Sequence, residues 1–335
     1  MHICIHGAGG LGSVLGGYLA ESGVDVTLIA RPAHAEAVNA RGLRIFGSRG
    51  EHEVRDHLRA CTHPDEVEGD IDYYILLTKV KDAAAALADA RPLAPRVRCA
   101  LTLQNGLDKE AALIACFGRD KVIGGSTIEG ATLVEPGVAH NHVTVPVTAY
   151  FGELDGGTSA RTEVLAQAFD VAGLGARAVE DITHVLWEKA VQVGGASLWS
   201  ASTLIGRPAL DYWDGLAYEH SARHYVTIAR ELLAVYHALG YAPENFFAPL
   251  SKLKEIDGMT PDEAAEVMQK VGRERQTPDR DPVRTSMHGD VLGGRETEIE
   301  IIVKPILDAA ARLEVAVPTV LGAYRVIKTV EHYGN

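Results

Sequence analysis

The chain has 335 residues, 47% hydrophobic and 23% charged, with 45 acidic against 32 basic side chains and a formal net charge of −13. That length exceeds what one hydrophobic core usually serves and predicts two domains. The acidic balance is the wrong sign for neutralising phosphates, so nucleic acid and anionic membranes are excluded as favoured partners.

The first elements in chain order are a short strand at 2–6 (HICIH), a helix of small residues at 10–21, a strand at 25–29 (DVTLI) and a helix at 32–41. Buried strands follow at 73–78 (YYILLT) and 98–103 (RCALTL), each with a helical pattern after it. Strands alternating with helices predict a parallel sheet covered on both faces. From 122 to 152 short β runs broken by Gly and Pro predict an antiparallel extension, and 160–172 returns to helix. Beyond about residue 179 long helical periods dominate, at 181–196, 217–239, 261–271 and 297–313. Thr260-Pro261-Asp262-Glu263 reads as a capping box with proline at the first helical position. The fold class is therefore α/β: a Rossmann-type domain over 1–179, then an all-helical C-terminal domain over 180–335.

Cys4, Cys61, Cys99 and Cys116 are scattered, with no C-x-x-C pair. They predict reduced, mostly buried thiols in a cytoplasmic protein, with neither a disulfide frame nor a zinc site. No apolar run reaches the ~18 residues of a membrane span and no signal-peptide pattern precedes the first strand, so no membrane association is expected.

Gly7-Ala8-Gly9-Gly10-Leu11-Gly12 fits G-x-G-x-x-G directly after an apolar strand and at the opening of a helix. That context marks a dinucleotide loop rather than a plain glycine turn. Gly7 permits the turn, Gly9 lets the backbone approach a pyrophosphate, and Gly12 lets helix pack on strand. The helix start then offers N–H groups to the anion. Where an NAD site places an acid after the second strand, this chain has Ala30-Arg31-Pro32. A carboxylate repels a 2′-phosphate and a guanidinium pairs with it, so Arg31 points to NADP (NADPH); the plain alternative is a solvated loop arginine. Lys79-Val80-Lys81 and Gln104-Asn105-Gly106 follow the strands at 73–78 and 98–103, at the carboxyl ends where open α/β sheets bind ligands. Asn-Gly turn chemistry explains Asn105 about equally well.

At about 100° per residue, Ile182, Val185, Leu186, Lys189, Val193 and Ala196 share one helix face, with Asp181 as N-cap and Glu188 pointing away. A lysine inside a buried stripe is costly unless it is paired or its pKa is lowered. Lys189 either snorkels to water or presents a desolvated ammonium to a cleft, suited to general-acid work. Its partner is expected where Glu296, Glu298 and Glu300 open the helical pattern at 297–313. Periodicity puts Glu298 at the edge of the stripe and leaves the choice among the three open. His140 and His142 share a strand face but lack a third ligand at matching spacing, so no metal site is predicted.

These pieces together resemble the ketopantoate reductase (2-dehydropantoate 2-reductase) family along nearly the whole chain. The matching motifs are GAGGLG at the N-terminus, Arg31, Lys81 within LLTKVK, and LQNG around Asn105. They continue with WEK at Trp187–Lys189, TSMHGD at Thr285–Asp290, RETEI at Arg295–Ile299 and VAVP at Val315–Pro318. The resemblance implies NADPH in a crevice between a Rossmann domain and a helical domain, with a 2-oxo acid against the nicotinamide. It implies Lys189 as catalytic lysine, hydrogen-bonded to the oxo oxygen and supplying the proton, with Glu298 as its acidic partner. By the same resemblance Asn105 touches cofactor and substrate, Ser286 helps hold the substrate, and Ala131 lines the cofactor. Three positions where the family presents substrate-binding Asn are Val193, Ser197 and Val283 here, and its Asn-Gly pair after the acid is Val303-Lys304.

The leading expectation is therefore an NADP-dependent oxidoreductase that reduces a 2-oxo acid to a 2-hydroxy acid, ketopantoate to pantoate first, in pantothenate biosynthesis. A reductase of another, less polar 2-oxo acid stands beside it, because Val cannot hydrogen-bond as Asn does. A non-catalytic NADP-binding regulator is the third reading, and it has no need of both Lys189 and Glu298. The sequence leaves the oligomeric state open, a homodimer included.

Overall fold

In the computed structural model, which describes residues 1–277 and 282–334, contacts divide the chain into two units. The first comprises Met1–Gln104 with Asp108–Leu186, the second Asn105–Leu107 with Trp187–Asn335. The first opens with β1 (His2–His6), α1 (Gly10–Glu21), β2 (Asp25–Ile29), α2 (Pro32–Arg41), β3 (Leu43–Gly47), β4 (His52–Val54) and β5 (Leu58–Cys61). It continues through β6 (Ile71–Leu76), α3 (Val80–Ala90), β7 (Val97–Thr102) and α4 (Glu110–Phe117). It ends with β8 (Gly124–Thr127), β9 (Gly130–Glu135), β10 (Val138–Val143), β11 (Ala149–Gly152), α5 (Ala160–Val171) and β12 (Ala176–Ala178).

The principal sheet is parallel, in the order β5-β2-β1-β6-β7. Its strands alternate apolar side chains to both faces. Ile3, Ile5, Leu28 and Ile75 face the core with α1 and α5, while Cys4, Ile29, Tyr74 and Leu76 face the core with α3 and α4. The strand order reverses at β1, so the carboxyl ends of β1 and β6 mark the switch point where such sheets bind ligands. The region expected to be antiparallel is mixed. β8 pairs with β11 and β9 with β10 antiparallel, but β10 runs parallel to β3 and β11 parallel to β12. β3, β4 and β5 lie outside the expected strands, β4 and β5 being only three and four residues long.

α6 (Ile182–Thr203) starts in the first unit and runs into the second. The Asp181 carboxylate accepts from the His184 N–H, the N-cap bond expected of it. The second unit adds α7 (Tyr212–Ala217), α8 (Glu219–Ala238), α9 (Leu253–Gly258), α10 (Pro261–Arg275) and α11 (Ser286–Leu292). It closes with α12 (Ile299–Ile302), α13 (Lys304–Arg312) and α14 (Pro318–Gly334). Its core gathers Trp199, Leu232, Tyr236, Ile299, Val303 and Ile306. The Thr260 capping box forms as read. The helix expected at 297–313 is instead broken at Val303, because Pro305 has no N–H for a continuing ladder and sits in the first turn of α13, where none is needed. Among the described residues no helix is long and apolar enough to cross a membrane.

Candidate active site

The glycine loop of the first unit is shaped by close approach. Gly7 adopts φ +106°, and a Cβ there would lie 2.4 Å from the Thr78 nitrogen beyond β6, so the turn admits no side chain. A Cβ at Gly12 would meet the Gly7 carbonyl at 2.7 Å and the Ile5 side chain of β1 at 3.2 Å, where the helix packs on the strand. Gly9 differs: a Cβ there meets nothing within 4 Å. Its glycine is not demanded by the protein's own packing, and open space lies where a pyrophosphate would approach. α1 begins at Gly10 with no side-chain cap and no acid in its first turn, leaving its positive end to an anion. Ala131, on β9, is half-buried, and its carbonyl lies against Gly10, where a Cβ would come within 2.6 Å. Arg31 caps the start of α2 as an exposed residue just past β2, and Lys81 is exposed in the first turn of α3.

In the second unit Lys189 is 8% exposed and donates from Nζ to the Asn105 Oδ1 at 3.0 Å. The other side of the same amide donates from Nδ2 to Glu298 Oε2 at 3.2 Å. Asn105 therefore links an ammonium to a carboxylate, and the charges dictate which way its amide faces: acceptor to Lys189, donor to Glu298. Glu298 is half-buried at the N-cap of α12. Glu296 is exposed, and Glu300 accepts from Tyr324 and pairs with Lys328 on α14. The structure thus brings Lys189, Asn105 and Glu298 together, separating one acid from the three the sequence offered.

The opposite face of α6 is buried as well. Glu188 has no exposure and accepts the Glu244 N–H at 2.6 Å and the Phe246 N–H at 2.8 Å. Helical periodicity placed it away from the Lys189 stripe; nothing in the sequence announced that a carboxylate would anchor a distant loop by its backbone. Val193 is half-buried at the margin of the core. Ser197 is 1% exposed, and its hydroxyl has no hydrogen-bond partner among the described residues. Ser286 is exposed at the first position of α11, beside the N-cap Thr285. Val283 is 40% exposed, its backbone bonded to Asp211 and Tyr212. Val303 is a core residue and Lys304 pairs with Asp308, so neither stands in for the amide of an Asn-Gly pair. His140 stacks on Phe46, and His142 bonds Thr132 Oγ1 at 2.6 Å. Between them Asn141 is fully buried, bonded to Glu129 and Arg49, so this stretch of β10 is structural.

A family model described as ketopantoate reductase PanE/ApbA matches residues 3–156, and one for the C-terminal region of the same family matches 181–331. A 2-dehydropantoate 2-reductase of Pyrococcus horikoshii is 36% identical over 194 residues, 57% of this chain and 60% of that protein, so this match spans about three-fifths of the relative's length. A protein of the same description from Halobacterium salinarum is 28% identical over 96% of this chain and 95% of its own. Among solved structures, 2-dehydropantoate 2-reductase from Methylococcus capsulatus is similar at a TM-score of 0.77 and 26% identity, covering 100% of this chain and 98% of that one.

Proposed function

Because the chain belongs to the ketopantoate reductase family, we propose that it reduces a 2-oxo acid to a 2-hydroxy acid with NADPH, ketopantoate being the first substrate. The observation that carries the reading is the Lys189–Asn105–Glu298 chain of hydrogen bonds. The glycine loop fits the nucleotide: the space at Gly9 admits a pyrophosphate, the uncapped start of α1 attracts it, and exposed Arg31 answers a 2′-phosphate. NADPH, when bound, supplies the hydride.

The chain's own residues supply the proton and its aim. Glu298 fixes the Asn105 amide, and the amide oxygen in turn fixes the direction of the Lys189 ammonium. An N–H of that ammonium donates to the oxo oxygen of the substrate and passes its proton as charge develops there. Burial strengthens this bond, since the ammonium stands in a poorly solvated place. A regulator that only bound nucleotide would gain nothing from a buried ammonium aimed by an amide and a carboxylate.

One observation favours a less polar acid as the second reading. Val193 stands where the family presents an Asn, and a valine side chain neither donates nor accepts a hydrogen bond, so the hydroxyl of ketopantoate would find no partner in that side chain. NADPH oxidation followed across a panel of 2-oxo acids, with Lys189→Ala as control, tests both readings. Turnover of at least one acid is expected, with kcat lowered about 10²-fold or more in Lys189→Ala. No turnover of any acid refutes the proposed activity. A preference for ketopantoate over 2-oxoisovalerate well beyond about 10²-fold excludes the second reading.

A further inference from the structure

Lys109 belongs to neither the glycine loop nor the Lys189 cluster, yet its side chain is only 3% exposed. Its Nζ donates to three backbone carbonyls: Thr102 at 3.2 Å, Gln104 at 3.0 Å and Gly125 at 2.5 Å. An ammonium has three donors and no acceptor, so these three bonds match its full capacity. β7 and β8 are edge strands of separate sheets, and the lysine joins the end of one to the other. Gln104 is tied further, its side-chain amide donating to the Thr78 carbonyl at 2.6 Å and its backbone N–H to Thr102 Oγ1 at 3.1 Å. The next residue in the chain is Asn105.

We propose that Lys109 is a positioning residue for Asn105: it holds the Gln104 carbonyl, and so fixes the peptide that carries the amide linking Lys189 to Glu298. The inference rests on the activity proposed above only where turnover is the readout.

The placement is costly to the fold. Lys109 is the N-cap of α4, where a cation opposes the helix dipole. Burial lowers its pKa to about 8, opposed by the Glu110 carboxylate 4.0 Å away. Glu110 is itself buried and pushed upward by that burial, with Lys109 opposing and the neighbouring Asp108 adding to the rise. The carbonyls that complete the surroundings of Nζ carry no charge. A group whose folded pKa lies below its unfolded value binds fewer protons when folded, so this ammonium destabilises the protein at neutral pH, a cost relieved as pH rises from about 8 towards about 10.4. Losing the proton leaves two N–H donors for three carbonyls, and the grip on Gln104 loosens while global stability rises.

Lys109→Met keeps the stem and removes the donors. With ketopantoate, or the best acid of the panel, kcat should fall about tenfold or more. Amide hydrogen exchange over residues 103–107 should quicken about tenfold relative to β1. A folded variant with kcat within about threefold of the parent, or with unchanged exchange over 103–107, overturns the proposal. Should the variant not fold, Lys109→Gln, a shorter neutral side chain that keeps two N–H donors, answers by the same two readouts, and parent-like kcat with unchanged exchange over 103–107 overturns the proposal. The exchange experiments need no substrate, so a failed clamp and a failed activity give different results.

Discussion

Replacing Asn105 by alanine removes the bond from Lys189 at 3.0 Å and the bond to Glu298 at 3.2 Å, while leaving both charged groups in place. Each is a hydrogen bond to an ion, worth about 1.5–3 kcal/mol. Only the Lys189 bond bears directly on the proton donor, so that range, taken once, is the expected rise in the activation barrier. It corresponds to a fall of roughly 10- to 150-fold in kcat. Turnover is measured by NADPH oxidation at saturating 2-oxo acid, with circular dichroism confirming the fold. Glu298→Gln should cost less than Asn105→Ala, because a neutral amide still accepts from Asn105 Nδ2. The double variant should cost less than the sum of its parts, since Glu298 acts through an amide already absent. A kcat for Asn105→Ala within about threefold of the parent, or strict additivity in the double variant, would refute the relay.

Arg31→Asp should erase a preference for NADPH over NADH of at least about tenfold, or about 1.4 kcal/mol, measured by fluorescence titration; equal affinities in the parent would remove Arg31 from cofactor choice. Gly9→Ala should leave Tm nearly unchanged, because its Cβ meets nothing within 4 Å, yet weaken NADPH binding about tenfold or more by standing where the pyrophosphate comes in. His6, buried and bonded to the Tyr74 hydroxyl at 2.7 Å, has its pKa lowered from 6.5 to about 4 by burial. The unfolded chain binds the proton first as pH falls, so about 2–3 kcal/mol of stability should vanish between pH 6.5 and about 4. Urea unfolding should show a smaller acid loss in His6→Asn, and an identical loss would rule this histidine out.

Much of the fold was legible because it is local. β1, α1, β2 and α2 match the sequence reading residue for residue, since period-two strands and a glycine loop leave short-range marks. The capping residues Asp181 and Thr260 were equally plain, because a cap acts within three positions of itself. The parallel pairing of β10 with β3 was not, because pairing partners some ninety residues apart leave no local pattern.

The site divides the same way. Lys189 stood out because a lysine on an apolar stripe breaks a rule visible within one helix, and Arg31 because it stands where an acid is the alternative. Asn105 on its own read no better as a ligand than as a turn residue, and three glutamates competed for one role. Folding joined Asn105 to Lys189 across 84 positions and to Glu298 across 193. It also sent Glu300 to α14 and buried Glu188 and Lys109 on backbone groups. Sequence by itself determined which residues were candidates, because side-chain type and helical period are properties of the chain. Only the tertiary structure decided which of them meet, because a hydrogen bond at 3 Å depends on distances that no spacing along the chain encodes.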